Sequence, residues 1–413
     1  MTYIFTLPRS FAPAEFLSRR LLLYADSARW LVSTITYKTA NRDTDPWGCV
    51  RLDSRILRRV MGNHAKGVIG CLQQGAIEIS PYCVGVKCKG YRLAKRYLGD
   101  RCLRVPAVDP GLLHRLAEER QRRDAEESKT RWQPIHYALD AEQRRLSIDV
   151  AEAEAILESL PGHCRLCQDV LVSHLCHREF PFSISTTGRV FNAITGLKRE
   201  LRHTLRIGGE PLGSVDICCA QPALLALEMA RNTPTNGLKG RATYKHTLPV
   251  PRPLCPLPSL PSPPLAAAAA GPSPSLDAFA SLVACGRLYE RLMDLSGLDR
   301  PSVKLAFLRD VLAKRGRYPS FVERTFRREF PDVYAFIHAV NGNDHAELIR
   351  RLQRLESWLV IEQVAPRLVG RVPVITLHDA IYSTCGCLAR VEEAFADVFD
   401  AIDFRLTLKR EAG

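Results

Sequence analysis

The chain has no run of roughly 18 or more apolar residues, which argues against a membrane-spanning helix. Its first eleven residues lack the basic start and long apolar stretch of a secretory signal, so the expected location is cytoplasmic. No internal repeat is evident. A regular cysteine framework is also missing. The 14 cysteines are irregularly spaced, which suits reduced thiols. Acid is the scarcer charge. Against 58 Lys and Arg stand 44 Asp and Glu, giving a net charge of +14 and a pI near 9.3. That excess calls for a polyanionic partner, and nucleic acid is the first candidate.

What is present is enough for a real core. The chain has 413 residues, 46% of them hydrophobic, sufficient for two or three domains. Residues 1–98 are basic. Asp53 caps an expected short helix over 54–61, and a second is expected over 65–74, stopped by Gly75. Strands are expected over 76–80 and 90–93, around a tip at 82–89. Helix, helix, strand, loop, strand is the order of a winged helix. Arg55, Lys66, Lys87 and Lys89, among other cations, would meet phosphates there. A small helical domain with a solvated basic face fits the same pattern.

Residues 99–163 read as a helical connector. Asp109-Pro110 starts a charged helix with a thin apolar stripe of Leu112, Leu113 and Leu116. Residues 164–413 form the last domain, interrupted at 232–275. Ten of the chain's 27 prolines fall between 249 and 274, beside Ala266 to Ala270. Such a composition buries too little apolar surface to fold alone, so a disordered insertion is expected. His163, Cys164, Cys167, His174, Cys176 and His177 carry zinc-type side chains. Their spacing matches no standard zinc site, and buried thiols with ordinary histidines are the favoured reading.

Four short elements carry chemistry. Thr187-Gly188-Arg189 comes first, followed by Lys198 and Arg202. Asp216 then ends a hydrophobic strand where a helix begins, with Pro222 in its first turn. An ordinary helix cap is the plain alternative for Asp216. Arg300 and Lys304 are four apart in a stretch expected to be helical over 302–315, which puts both cations on one face. Finally, two β-rich arms flank His378-Asp379, which reads as a hairpin with the aspartate at its tip. Turn aspartates are common for local reasons. Two carboxylates presented from strand ends can nonetheless share a pair of Mg²⁺ ions, the arrangement that nucleotidyl transfer needs. The cations would neutralise charge growing on a triphosphate, and Lys304 could protonate the leaving pyrophosphate.

In this order, the four elements resemble the family A DNA polymerases, the DNA polymerase I type, and their single-subunit RNA polymerase relatives. The resemblance spans roughly 164–411. It implies an α/β (α+β) fold, a polymerase palm with helical fingers, here preceded by the winged-helix-like module. By the same resemblance, Asp216, the Ile217 carbonyl and Asp379 hold two ions, Mg²⁺ or Mn²⁺. Arg300 and Lys304 bind the triphosphate, with Leu308 and Gln221 beside the nucleotide. Arg189, Lys198, Arg202 and His378 face primer or template. Gln353 is similar to a glutamine on the helix before the His-Asp turn. The implied activity is DNA-directed DNA polymerase, acting on a DNA primer-template and nucleoside triphosphates. Replication of a phage, plasmid or mobile element would suit its compactness.

The pattern departs from the family at several positions. Gln221 stands where the DNA polymerases carry the glutamate that gates the ribose 2′-hydroxyl. Ala380 replaces the residue after His-Asp, which is Glu in the DNA polymerases and Ser in the RNA polymerases. Leu308 and Leu312-Ala313 stand where an aromatic and Tyr-Gly are usual. No proofreading exonuclease segment is evident. A degenerate palm serving as a DNA-binding replication protein is one alternative. A primase or single-subunit RNA polymerase is another.

Overall fold

The computed structural model describes residues 3–81, 88–126, 132–232 and 274–412. Helices and sheets are mixed, and every strand pairing among the described residues is antiparallel, so the fold is α+β. Two compact units are formed. Unit 1 takes residues 1–132, 143–182 and 192–211; unit 2 takes 133–142, 183–191 and 212–413.

In unit 1 the strand Ile4–Pro8 pairs with Cys102–Pro106. The helix Ala25–Ala40 packs on the first strand, and the helix Gly162–Cys176 packs on that helix. Phe5, Leu31, Ile35, Leu166 and Val170 are fully buried there. Arg101 ties the pieces together, reaching Asp169 at 3.0 Å, Glu154 at 2.6 Å and Glu158 at 2.7 Å. Unit 1 draws on residues from both sides of positions 98 and 163. Residues 102–106 supply a paired strand, and 164–182 and 192–211 join unit 1. The reason is burial: an apolar helix face does not announce which other face will cover it.

The basic segment folds as helix Ser54–Met61, helix Ala65–Leu72, and strands Ile77–Ser80 and Gly90–Leu93. Asp53 accepts the Arg55 amide at 2.7 Å, the expected cap. A further strand, Val50–Arg51, pairs with Gly90–Leu93 and makes a three-stranded sheet. Two residues are too few to show an alternating pattern in sequence. Several cations are already engaged. Arg55 holds Asp53, Arg59 holds Glu119 and Arg92 holds Glu78. Lys66 and Lys89 are exposed. Lys87 lies outside the described residues.

The helix Pro110–Glu126 starts where expected, with Asp109 accepting the Gly111 amide at 2.9 Å. Of its three stripe leucines, only Leu112 is fully buried. The cysteines and histidines of the next helix have local surroundings. The Cys164 thiol contacts the Pro161 carbonyl at 3.2 Å, and His177 Nδ1 lies 2.8 Å from the Ser173 carbonyl. Burial pushes the Cys167 thiol up to about 11 and His174 down to about 4.

Unit 2 is built on an antiparallel sheet. Its strands run in the order Ile375–Leu377, Ala380–Thr384, Glu210–Ile217 and Leu408–Glu411, the third contributing from residue 212. An aromatic cluster lies among its helices. Phe279, Phe307, Phe326 and Phe330 meet with ring centroids 5.2–6.1 Å apart. The stretch expected to be one helix over 302–315 is an α-helix, Arg300–Ala306, that widens into a π-helix, Phe307–Leu312. A second π-helix, Trp358–Val364, continues the helix Glu347–Ser357. Such widened turns recur at functional sites. The expected insertion at 232–275 falls mostly on 233–273, outside the described residues; the chain is described again from the helix Pro274–Ala284.

Candidate active site

Asp216 stands near the end of the strand Glu210–Ile217, which is central to the unit 2 sheet. Leu212, Val215 and Ile217 bury the strand. Gly213 is required beside them. A Cβ there would lie 2.5 Å from the Glu411 carbonyl and 2.6 Å from Leu388, so only glycine lets the C-terminal strand close on this one. After Asp216 the chain turns sharply. Cys219 takes a left-handed φ of 51°, and the helix Ala220–Asn232 begins.

Asp379 is the second turn residue of the hairpin Ile375–Leu377 / Ala380–Thr384, in which Leu377 and Ala380 are paired. His378, the first, has φ 56°. A left-handed conformation costs a residue with a Cβ about 1–2 kcal/mol, and strain of this kind gathers at working sites. The register then does the assembling. Ala380 lies directly across from Asp216, and the Ile217 amide donates to the Asp379 carbonyl at 3.3 Å. Two carboxylates separated by 163 positions in sequence thus share one end of the sheet.

Their electrostatics are coupled. Burial, then the neighbouring Asp379, raises Asp216 to about 7. Burial also raises Asp379, opposed by Arg189 and Lys304. Lys304 likewise pulls Asp216 down, so its ammonium acts on both acids. Asp216 Oδ1 is buried with no hydrogen-bond partner among the described residues. A buried carboxylate oxygen of this kind is costly unless a ligand satisfies it.

The cations come from the helix Arg300–Ala306, whose cap Asp299 accepts the Ser302 amide at 3.2 Å. Arg300 pairs with Glu290 and lies over the Tyr289 ring, 5.7 Å from its centroid. Leu308 falls in the π-helix that follows, half-buried.

Arg189 is engaged by a buried carboxylate. Its Nε and Nη2 donate to the two oxygens of Glu356 at 2.7 and 2.6 Å. Gln221 Nε2 donates to the same carboxylate at 3.3 Å, and Thr187 donates to Gln353 at 3.3 Å. Thr187-Gly188-Arg189 is therefore docked on the helix Glu347–Ser357, and its guanidinium is engaged by protein. Gly188, with φ 81°, lies so close that an added Cβ would sit 3.1 Å from Ser357. Lys198 and Arg202 belong to unit 1, where Arg202 donates to the Leu197 carbonyl at 2.8 Å.

Several participants carry no local sequence signal. Glu356 is 1% exposed and is raised to about 7 by burial, against the pull of Arg189. Lys409 lies directly across from Asp216 on its other side, with Glu411 two residues on. Glu411 also raises Asp216. Phe404, Leu406 and Leu408 alternate with polar residues just ahead of Lys409, and that alternation was the available clue. His378 meets Phe191 edge-on at 5.8 Å.

Among the described residues no group of three or more His, Cys, Asp or Glu is arranged to hold a metal by itself. The Asp216–Asp379 pair, with its unsatisfied oxygen, suits part of a ligand set. Mg²⁺ is commonly bound by one or two carboxylates plus phosphate oxygens and water. No protein-family model matches the chain, and no curated protein matches its sequence.

Proposed function

We propose that unit 2 is a template-directed nucleotidyltransferase, extending a DNA primer from nucleoside triphosphates. The observation that carries this reading is the pairing of Asp216 with Asp379 at one sheet end, under the Lys304 charge. On this reading the antiparallel sheet is a polymerase palm and the Arg300–Ala306 helix belongs to the fingers. The order of helices and strands in residues 50–93 supports a winged-helix-like DNA-binding module, with Lys66 and Lys89 toward phosphates.

Asp216, Asp379 and the Ile217 carbonyl would hold the divalent ions. When bound, two such ions lower the pKa of a primer 3′-hydroxyl and take up charge on the triphosphate. The protein's own contribution is positional and electrostatic. The sheet register fixes both carboxylates before substrate arrives, so little reorganisation is needed. Lys304 and Arg300 would supply positive charge where the phosphates gain negative charge, and Lys304 would give a proton to the departing pyrophosphate. Arg189 acts as a clamp through Glu356, which also orients Gln221.

The test is primer extension on a DNA template with Mg²⁺ or Mn²⁺, using dNTPs and rNTPs in parallel. Templated extension that Asp216→Ala and Asp379→Ala each abolish is the expected result. A lack of extension under all these conditions, with nucleic-acid binding intact, rejects catalysis. Ala380 favours that second reading, a palm that binds DNA without chemistry, because no third carboxylate follows Asp379.

A further inference from the structure

Of the six exposed large apolar side chains among the described residues of unit 2, four crowd one stretch. Leu298, Leu305, Tyr318 and Phe321 are 41%, 60%, 83% and 53% exposed. All four lie on or beside the Arg300–Ala306 helix and the helix Phe321–Glu329, which pack together. Two large aromatic rings held in water have no packing reason to be there.

The charge around them is of one sign. Residues 314–328 contain six cations and a single carboxylate, Glu323. Glu323 is fully buried, taken up by Lys314 and by Tyr334, whose hydroxyl donates to it at 2.6 Å. The surface of the stretch is therefore purely positive. Arg315 and Arg317 are exposed, and neither makes an ion pair with a described carboxylate.

The aromatics are also held rather than loose. Ser320 and Glu323 form a reciprocal capping box that fixes Phe321 as the first helical residue. Arg324 donates to the Pro319 carbonyl at 3.1 Å and lies 5.9 Å from the Phe321 ring centroid. Pro319 disfavours a helical backbone at Tyr318.

We infer that residues 315–324 form a docking surface for single-stranded nucleic acid, with Tyr318 and Phe321 stacking bases and Arg315, Arg317 and Arg324 meeting phosphates. Aromatic platforms alternating with cations are how strands are held without sequence preference. Guanidinium groups add attraction to both the phosphates and the ring faces. An acidic protein surface would answer the charge but leaves two rings without a matching pocket. The choice of nucleic acid as ligand rests on the proposed function; the docking surface does not depend on catalysis.

The experiment uses the full chain. Binding of a fluorescently labelled single-stranded oligonucleotide is followed by anisotropy across a salt series. In parallel, an iodouracil-substituted oligonucleotide is photo-crosslinked, and the attached peptide is identified. The expected crosslink is at Tyr318 or Phe321. Tyr318→Ala with Phe321→Ala should weaken binding by roughly thirtyfold or more, given the cost of losing two stacked bases. Arg315→Gln with Arg317→Gln should lower the salt slope by roughly 1.4, about 0.7 per phosphate contact. Asp216→Ala should bind like the wild type, which separates this inference from the catalytic one. Crosslinks confined to other segments, with affinity and slope unchanged in both variants, overturn it.

Discussion

Arg189 grips Glu356 through two parallel hydrogen bonds of 2.7 and 2.6 Å, with the Glu356 side chain almost wholly out of water. Removing one partner of such a pair leaves an uncompensated buried charge and costs about 3–5 kcal/mol. Arg189→Ala is expected to lose that much stability in urea unfolding at pH 8. Glu356 already sits near pH 7, so it can take a proton instead of remaining charged. The loss should therefore shrink at pH 5. An equal loss at both values would show that packing, not charge, is what the pair provides.

The carboxylate pair predicts an unusual pH dependence. A carboxyl raised from the ordinary range of about 4 to about 7 holds its proton more tightly folded than unfolded. Its contribution to stability therefore falls as pH rises through that window. Without divalent ions, Asp216→Asn should be more stable than wild type at pH 8, by about 1–3 kcal/mol, and equal to it below pH 4. Added Mg²⁺ should stabilise the wild type and leave the variant unmoved. Denaturant titrations with and without the ion check both statements, and a pH-independent difference would contradict the first.

Lys304 holds down the pKa of both acids. Lys304→Ala should lower kcat by about 10²–10³, the usual cost of losing one preorganised charge. It should also move the acid limb of the kcat/KM profile to higher pH, because the carboxylates then release their protons later. A rate loss with an unmoved limb would place Lys304 on the substrate alone.

Gly188→Ala tests the docking of the Thr-Gly-Arg turn. With φ at 81° and Ser357 at 3.1 Å from the new methyl, strain of about 1–2 kcal/mol is expected before any crowding. Thermal unfolding measures it. No change would mean that the turn can leave Ser357 freely.

Much of the site was readable because short-range patterns created it. The arms around His378-Asp379 alternate like strands, and they pair as Ile375–Leu377 with Ala380–Thr384. The apolar run ending at Asp216, with Pro222 soon after, pointed to a strand entering a helix. Glu356 was hidden, because no cation stands three or four residues from it on its helix, and such an acid looks like a solvated charge. The resemblance alone turns Arg189 toward primer or template. Its protein partner lies 167 positions away. The π-helix Phe307–Leu312 was invisible too, since α and π turns share an apolar pattern over so few residues.

The sequence by itself determined the local elements: caps, the hairpin, the charge excess and the strand ends that carry Asp216 and Asp379. These depend on neighbours a few residues apart, where propensity and side-chain spacing act directly. Only the tertiary structure decided which strands lie side by side. That register set Ala380 and Lys409 across from Asp216, brought the carboxylates into one field and drew Glu356 beneath Arg189. Register and burial are settled by the whole core at once, so no single segment of the chain encodes them.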